Sequence, residues 1–353
     1  MIDLSPATTV GPALHRVPGD PGRRWAMDAR WVVDAPPDDD VAPDPVARWA
    51  EGARRTGICG AVSPRVVRLP EGGYRLYYTQ LLPRPGNAAG AVDYDQATSR
   101  ILSAYSVDGT VWVPEPGVRL SAEAGGAGEY RVVSSEVVPI DAAAGEWRMY
   151  YECCRGGQAA GNAILSARSI DGGLTWVREA GVRWGDGEAN FAAPRIQFLP
   201  GGEIRLFVLE RGKGIVSALS EDGGLSFRGE PGLRIAQDGP HDAHAAFAPE
   251  IGRVGPDQWV MYYAGYSALN RAQILRATSS DGLAWHKESA PVISPAPGSW
   301  AGVKCSEMAL VLLPDPAGAA PRFKMLFEAC DGSAAGARGV WRIASATAGP
   351  FDG

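Results

Sequence analysis

The chain has 353 residues with 45 glycines, 28 prolines and 45% hydrophobic content, enough apolar mass for a large core but too many turn formers for a helical protein. Its formal charge of −6, with no cluster of Lys and Arg, leaves no electrostatic footprint for nucleic acid or an anionic membrane as a partner. No stretch reaches the roughly 20 apolar residues of a membrane-spanning helix. The opening Met1-Ile-Asp-Leu-Ser-Pro carries no secretory pattern. The five cysteines (Cys59, Cys153, Cys154, Cys305, Cys330) show no metal-ligand spacing. Together these features set the expectation of a cytoplasmic protein with reduced thiols.

Along the chain, Arg24 to Val33 (RWAMDARWVV) reads as a strand, Asp34 to Pro45 as an acidic, proline-rich connection, and Val46 to Thr56 as a short helix. A repeated unit then begins. Each copy opens with a small-small-charged triplet: Ser63-Pro64-Arg65, Ser134-Ser135-Glu136, Ala193-Pro194-Arg195, Ala248-Pro249-Glu250 and Cys305-Ser306-Glu307. An apolar strand and a glycine turn follow, and then an aromatic strand: Tyr74 to Thr79, Trp147 to Glu152, Ile204 to Leu209, Trp259 to Ala264 and Phe323 to Glu328. Further on, a Ser-x-Asp-Gly turn recurs at Ser106, Ser169, Ser220 and Ser279, followed by Trp112, Trp176, Phe227 and Trp285. Asp-Gly between alternating apolar runs is a strong hairpin signal, because the turn needs positive φ. These turns resemble the Asp box of sialidases, a structural turn on the outer edge of a propeller blade.

A repeat of roughly 50 to 70 residues signals a propeller or solenoid. With four antiparallel strands in each unit, the expected fold is an all-β, five-bladed β-propeller. The expected blade cores lie at about 60–120, 130–185, 190–235, 245–295 and 303–348 of a single domain spanning 1–353. The last unit has no box or fourth strand of its own, so the strand at 24–33 is expected to close the ring.

The innermost strand of each blade lines the central channel, which directs attention to Arg65, Glu136, Arg195, Glu250 and Glu307. Such charges are costly to bury unless they are paired or used on a ligand. One reading is a salt-bridge ring that sets blade register. The other is a polar site at the channel mouth, with Glu136, Glu250 and Glu307 as acid and base, Arg65 and Arg195 gripping the ligand, and Tyr78, Tyr151 and Tyr263 walling it. Glu152 and Glu328 hold matching places on their strands, where apolar neighbours would raise their pKa values. His241, Asp242 and His244 form a loop at the entrance, suited to a general base or a metal ligand. Trp184, Glu188 and Asn190 face them, and Lys304 precedes the fifth triplet.

This blade pattern resembles the five-bladed glycosidases of glycoside hydrolase family 43 and its relatives, which act on arabinose, xylose and fructose units. The resemblance implies an Asp before Pro in blade one, a second Asp in blade two and a Glu shortly before Pro in blade three. Here those places hold Ser63-Pro64, Glu136 and Ala192-Ala193-Pro194, so two of the three carboxylates are absent. Inverting hydrolysis needs an acid and a base roughly 6.5 to 9.5 Å apart, which relocated glutamates would have to supply. The resulting expectation is a glycosidase-like enzyme acting on a small sugar or glycoside. A non-hydrolytic lyase, isomerase or cyclase and a catalytically silent binding propeller stay open beside it. No cofactor is implied, and a channel-bound Ca²⁺ is left open.

Overall fold

The computed structural model describes residues 19–37, 46, 50, 53–55, 60–84, 96–123, 130–156, 161–185, 187–314, 322–334 and 339–348. Most of the helix expected over 46–56, most of the 34–45 connection and Cys59 lie outside these residues. Among the described residues every regular element is a strand.

The strands fall into successive antiparallel meanders. The first contains β2 (Gly60–Arg68), β3 (Tyr74–Pro83) and β4 (Ala97–Ser106), with β5 (Val113–Pro114) and β6 (Leu120–Ser121) both paired to β4. The second contains β7 (Arg131–Asp141), β8 (Glu146–Cys154), β9 (Ala163–Ser169) and β10 (Val177–Arg178). The third contains β11 (Phe191–Phe198), β12 (Ile204–Glu210), β13 (Gly214–Ser220), β14 (Arg228–Gly229) and β15 (Ile235–Ala236). The fourth contains β16 (Ala245–Gly255), β17 (Gln258–Ala268), β18 (Arg271–Ser279) and β19 (His286–Lys287). The fifth contains β20 (Lys304–Leu313), β21 (Arg322–Cys330) and β22 (Trp341–Ala348), and β1 (Trp25–Met27) lies antiparallel against β22.

Each apolar core is shared by two neighbouring meanders. Val67, Tyr77 and Ile101 pack with Val137, Met149 and Tyr151. Val138, Tyr150 and Ile164 pack with Ile196, Leu206 and Val208. Phe207 and Ile215 pack with Ile251, Met261 and Tyr263. Val260, Tyr262 and Ile274 pack with Met308, Leu310 and Phe327. The fifth meander in turn meets the first, as Ala309, Val311 and Leu326 pack with Val66, Leu76 and Tyr78. Gly60 pairs in parallel with Trp341 at that seam, close enough that a Cβ on residue 60 would stand 2.6 Å from the Trp341 Cβ.

The Ser-x-Asp-Gly turns are closed by their own side chains. Ser106 Oγ accepts from Gly109 N at 2.9 Å, and Asp108 Oδ1 accepts from Thr110 N at 2.8 Å. The hydroxyl and backbone amide of Thr110 hold the Asp108 carboxyl down at about 2. Ser169 and Asp171 repeat the arrangement with Gly173 and Thr175, and the Trp176 indole donates to Gly173 O at 3.0 Å.

A second repeated device follows each turn. Three residues after Trp112, Trp176, Phe227 and Trp285 stand Glu115, Glu179, Glu230 and Glu288, and the first three of these begin a Glu-x-Gly-x-Arg phrase. Glu179 takes Arg148 as a two-pronged partner at 2.8 and 3.1 Å and accepts the Ser166 hydroxyl at 2.6 Å. Arg183 then reaches the next meander, donating to Leu225 O at 3.0 Å, as Arg119 does to Leu174 O and Arg234 to Leu283 O. In the fourth meander Val260 replaces the strand-two arginine, and Arg276 on strand three supplies the charge to Glu288 instead.

The fifth meander draws its turn from the chain's beginning. Asp20, Gly22 and Trp25 have the same spacing as Asp171, Gly173 and Trp176. Asp20 Oδ1 accepts from Gly22 N at 2.9 Å, the Trp25 indole donates to Gly22 O at 3.3 Å, and the Tyr262 hydroxyl donates to the same oxygen at 2.7 Å. Three residues after Trp25, Asp28 takes the place of Glu179, pairing with Lys324 at 2.9 Å and accepting the Ser345 hydroxyl. The sequence expectation of a bare strand at 24–33 is therefore corrected in two ways. The segment contributes a turn as well as a strand, and its paired strand is limited to Trp25–Met27, with one further bridge at Val33.

If the N-terminal segment is built into the fold as an internal turn is, Asp28→Ala will lower the unfolding free energy by about as much as Glu179→Ala, roughly 1–3 kcal/mol each. Urea unfolding measures both. A neutral Asp28→Ala beside a costly Glu179→Ala would show the segment to be a loose appendage.

Candidate active site

The first strand of each meander carries a bulge near its start. Pairing slips between Val62 and Arg65, Val133 and Glu136, Ala192 and Arg195, Phe247 and Glu250, and Ser306 and Met308. In the first four, the bulged residues Ser63, Ser134, Ala193 and Ala248 have φ of 54°, 51°, 52° and 50°. Left-handed backbone costs a non-glycine residue roughly 1–2 kcal/mol. Small side chains suit such a position, and the bulge re-aims the residues that follow. The fifth strand differs in register from its sequence alignment. Met308 lies opposite Phe327 and Ala309 opposite Leu326, so Glu307 is the bulged residue and matches Ser63, while Ala309 matches Arg65.

Two layers result. In the deeper one, Arg65 Nε lies 2.6 Å from Glu136 Oε2, its Nη2 donates to Glu136 Oε1 at 3.1 Å, and its Nη1 donates to Glu250 Oε2 at 2.6 Å. Arg195 Nε lies 3.5 Å from Glu250 Oε2. Each carboxylate also accepts a backbone amide of the following meander: Glu136 from Ile196 N at 3.0 Å and Glu250 from Leu310 N at 3.2 Å. All four side chains are buried. Burial works against the charge of Arg65, but Glu136 and Glu250 outweigh it and raise its pKa. Burial raises the pKa of Glu136 against the pull of Arg65 and Arg195.

In the layer of the bulges, Glu307 meets two further glutamates. Ser134 Oγ lies 3.0 and 3.3 Å from the Glu307 oxygens and 3.2 Å from Ser63 Oγ. Glu328 Oε1 accepts the Ser306 hydroxyl at 2.6 Å, and its Oε2 accepts Ser63 N at 3.0 Å. Glu152 Oε1 accepts Asn162 Nδ2 at 2.6 Å and lies 3.7 Å from Arg211 Nη2. Burial, then the neighbouring Glu307, push Glu328 up to about 8. Burial likewise raises Glu307, with Arg195 opposing and Glu152 adding to the rise. Three carboxylates thus converge where hydroxyls and amides, rather than guanidinium pairs, satisfy most of their bonds.

The other candidates disperse. Asp242 is buried under its loop, bound by Lys287 Nζ at 2.9 and 3.1 Å, the Tyr263 hydroxyl at 3.0 Å and Gly239 N at 2.7 Å, so it anchors the loop instead of facing a ligand. His241 Nδ1 lies 2.6 Å from Gln273 Nε2, whereas His244 is exposed. Among the described residues no group of three His, Cys, Asp or Glu side chains forms a metal-ligand set. Tyr78, Tyr151 and Tyr263 are not channel walls: all three are buried in the cores between meanders. Trp184 packs edge-on against Phe191 with ring centroids 5.5 Å apart, and Asn190 Oδ1 accepts Arg211 Nε at 3.1 Å. The buried Lys304 places its Nζ 5.8 Å from the Tyr266 ring and 5.2 Å from the Trp341 ring. Tyr266 was absent from the sequence expectations. Its signal was strand alternation, since it lies two residues past Ala264, the equivalent of Glu152 and Glu328.

No family model and no curated protein matches the sequence. Solved structures do share the fold. A glycoside hydrolase aligns over 90% of this chain and 93% of its own with TM-score 0.66 at 15% identity. A thermostable family-43 glycoside hydrolase aligns over 85% and 92% with TM-score 0.59 at 15% identity. An N-acetylgalactosamine deacetylase from F. plautii, in complex with blood group B trisaccharide, aligns over 90% and 95% with TM-score 0.57 at 17% identity. The chain therefore has the β-propeller fold seen in family-43-like glycosidases. At these identities the likeness is one of fold.

Removing Arg65 leaves Glu136 and Glu250 buried without their main counter-charge. Arg65→Met is expected to cost about 3–5 kcal/mol, visible as a large fall in unfolding midpoint. For Glu328 the sign is opposite to the usual carboxylate. Its raised pKa means that stability present below the unfolded value of 4.5 is lost as pH rises through about 8. The Tm of the wild type should thus fall more steeply between pH 5 and 9 than that of Glu328→Gln, and parallel curves would contradict the placement of Glu328.

Proposed function

We propose that this protein is a carbohydrate-active hydrolase built on a five-bladed propeller, closed between its first and last meanders with the N-terminal segment completing the fifth blade. It cleaves the glycosidic bond of a small sugar or glycoside at the channel mouth. The observation that carries this reading is the convergence of Glu152, Glu307 and Glu328 above a charge layer that is already paired. The shared fold of sugar-cleaving enzymes supports it.

Glu328 is the general acid: protonated below about pH 8, it donates to the leaving oxygen as the glycosidic bond breaks. Glu307, supported by Ser134 and the charge of Arg195, takes the proton of the attacking water. Glu152, held by Asn162 and Arg211, lies beside them and biases the Glu307 charge. Glu136, Glu250, Arg65 and Arg195 are assigned to holding the blades in register and not to gripping the ligand.

A second reading has one observation in its favour. Glu307 and Glu328 stand on adjacent strands of one sheet, β20 and β21, with Ser63 and Ala192-Ala193 where the family resemblance places carboxylates. Two such acids suit proton shuttling without an attacking water, as in a lyase or isomerase. Turnover in ¹⁸O-labelled water separates the two, because hydrolysis alone carries the label into product.

A panel of nitrophenyl arabinofuranoside, xyloside and galactoside should give turnover that Glu328→Gln and Glu307→Gln each lower by about 10²–10⁴-fold. The rate should fall as pH rises through about 8, where Glu328 loses its proton. Glu136→Gln should instead lower stability. Full activity in Glu328→Gln would remove the proposed acid.

A further inference from the structure

The bulged positions call for a small side chain, and alanine meets that need at Ala193 and Ala248, which hold the left-handed backbone at φ of 52° and 50°. The other two, Ser63 and Ser134, carry hydroxyls that the bulge itself does not require, and these lead toward the fifth bulged residue, Glu307. Both serines are buried. Their backbone amides are already engaged: Ser63 N donates to Glu328 Oε2 at 3.0 Å and Ser134 N to Thr79 Oγ1 at 3.3 Å. Ser134 Oγ lies 3.0 and 3.3 Å from the Glu307 oxygens and 3.2 Å from Ser63 Oγ. A serine hydroxyl has one proton and two lone pairs. Against an ionised Glu307 the Ser134 proton points at the carboxylate, so the bond between the serines runs from the Ser63 O–H to Ser134 Oγ.

We propose that Ser63 is a positioning residue for Glu307: its hydroxyl donates to Ser134 Oγ, which donates in turn to the Glu307 carboxylate, and this file of donors orients the carboxylate and favours its ionised form. This rests on Glu307 being the base of the site. Donors in series polarise one another, and hydrogen bonds made to the charged form favour it. Burial raises the Glu307 pKa, and both serines act against that rise. The other ionisable groups facing Glu307 are Arg195 of β11, Glu152 of β8, Glu328 of β21 and Tyr266 of β17. Arg195 alone among these four is a cation, so the neutral donors of β2 and β7 carry part of the work of keeping Glu307 charged.

The test reads the protonation of Glu307 directly, by infrared titration of its carboxylic-acid carbonyl band. In Glu328→Gln the neighbouring carboxyl no longer titrates, and the Glu307 band is the one that Glu307→Gln then removes. In that background Ser134→Ala should raise the midpoint by about one pH unit, and Ser63→Ala by roughly 0.3 of a unit. Ser63→Ala combined with Ser134→Ala should match Ser134→Ala alone, because Ser63 acts through Ser134. Ser63→Gly and Ser134→Gly relax the left-handed backbone, yet should give the same midpoints as the alanine variants, which a role in the bulge alone would not. An unmoved midpoint in Ser63→Ala, or additive shifts in the double variant, would overturn the proposal. If glycosides are cleaved, the acidic limb of the pH–rate profile should rise in parallel where Glu328 is intact, since Glu307 must be ionised to take a proton. Turnover without a midpoint shift removes the file of donors and leaves the hydrolase reading; the expected shifts without turnover do the reverse.

Discussion

The buried pairing of Arg65 with Glu136 and Glu250, extended by Arg195, is the constraint around which the rest of the structure is arranged. These residues come from the first strands of four different meanders. Each glutamate also accepts an amide of the next meander in order. Two positive and two negative side chains leave the layer neutral, and each charge has a partner or a backbone bond. A buried set of this kind contributes little net stability, since desolvation offsets most of the attraction. What it does supply is a penalty against any other arrangement, because a shifted meander would leave a charge buried without its partner.

The remaining buried carboxylates have a different set of partners. In one layer Glu136 and Glu250 are neutralised by the guanidinium groups of Arg65 and Arg195. One step toward the strand starts, the bulges replace charged side chains with Ser63, Ser134, Ala193 and Ala248. There Glu307 and Glu328 have hydroxyl and amide partners, and burial, with Glu152 acting on Glu307 and Glu307 on Glu328, drives their pKa values up. Carboxylates paired with guanidinium groups and carboxylates bonded by hydroxyls and amides are thus divided between adjacent layers of the same strands.

Much of the architecture was legible in the sequence, because hairpin turns and aromatic strands impose local patterns that repeat. The Glu-x-Gly-x-Arg phrase was equally regular but went unread, since its meaning depends on an arginine reaching the neighbouring meander. The turn at Asp20 was hidden by the loss of its serine and by its place roughly 300 residues from the strand it caps. In the site, identity and position parted company. Glu307 follows two small residues as Arg65 does, and only the pairing of Met308 with Phe327 shows that it occupies the place of Ser63. Tyr78, Tyr151 and Tyr263 had the right strand and the wrong face, a difference of one residue in a structure of period two. Which carboxylates are paired and which are poised depends on contacts between meanders, and these have no local signature.

The repeat also makes the relocation of acids physically reasonable. The first strand of each meander carries a bulge near its start, left-handed in the first four and at Glu307 in the fifth, so a carboxylate can stand at matching positions of different strands. The family 43 resemblance implies a carboxylate at Ser63; this chain has one at the matching position of the fifth strand, Glu307, and the Ser63 amide bonds Glu328. The serine that stands in the expected acid's place has not become idle. It bridges the two halves of the cluster, bonding Glu328 through its amide and lying 3.2 Å from the Ser134 hydroxyl that holds Glu307.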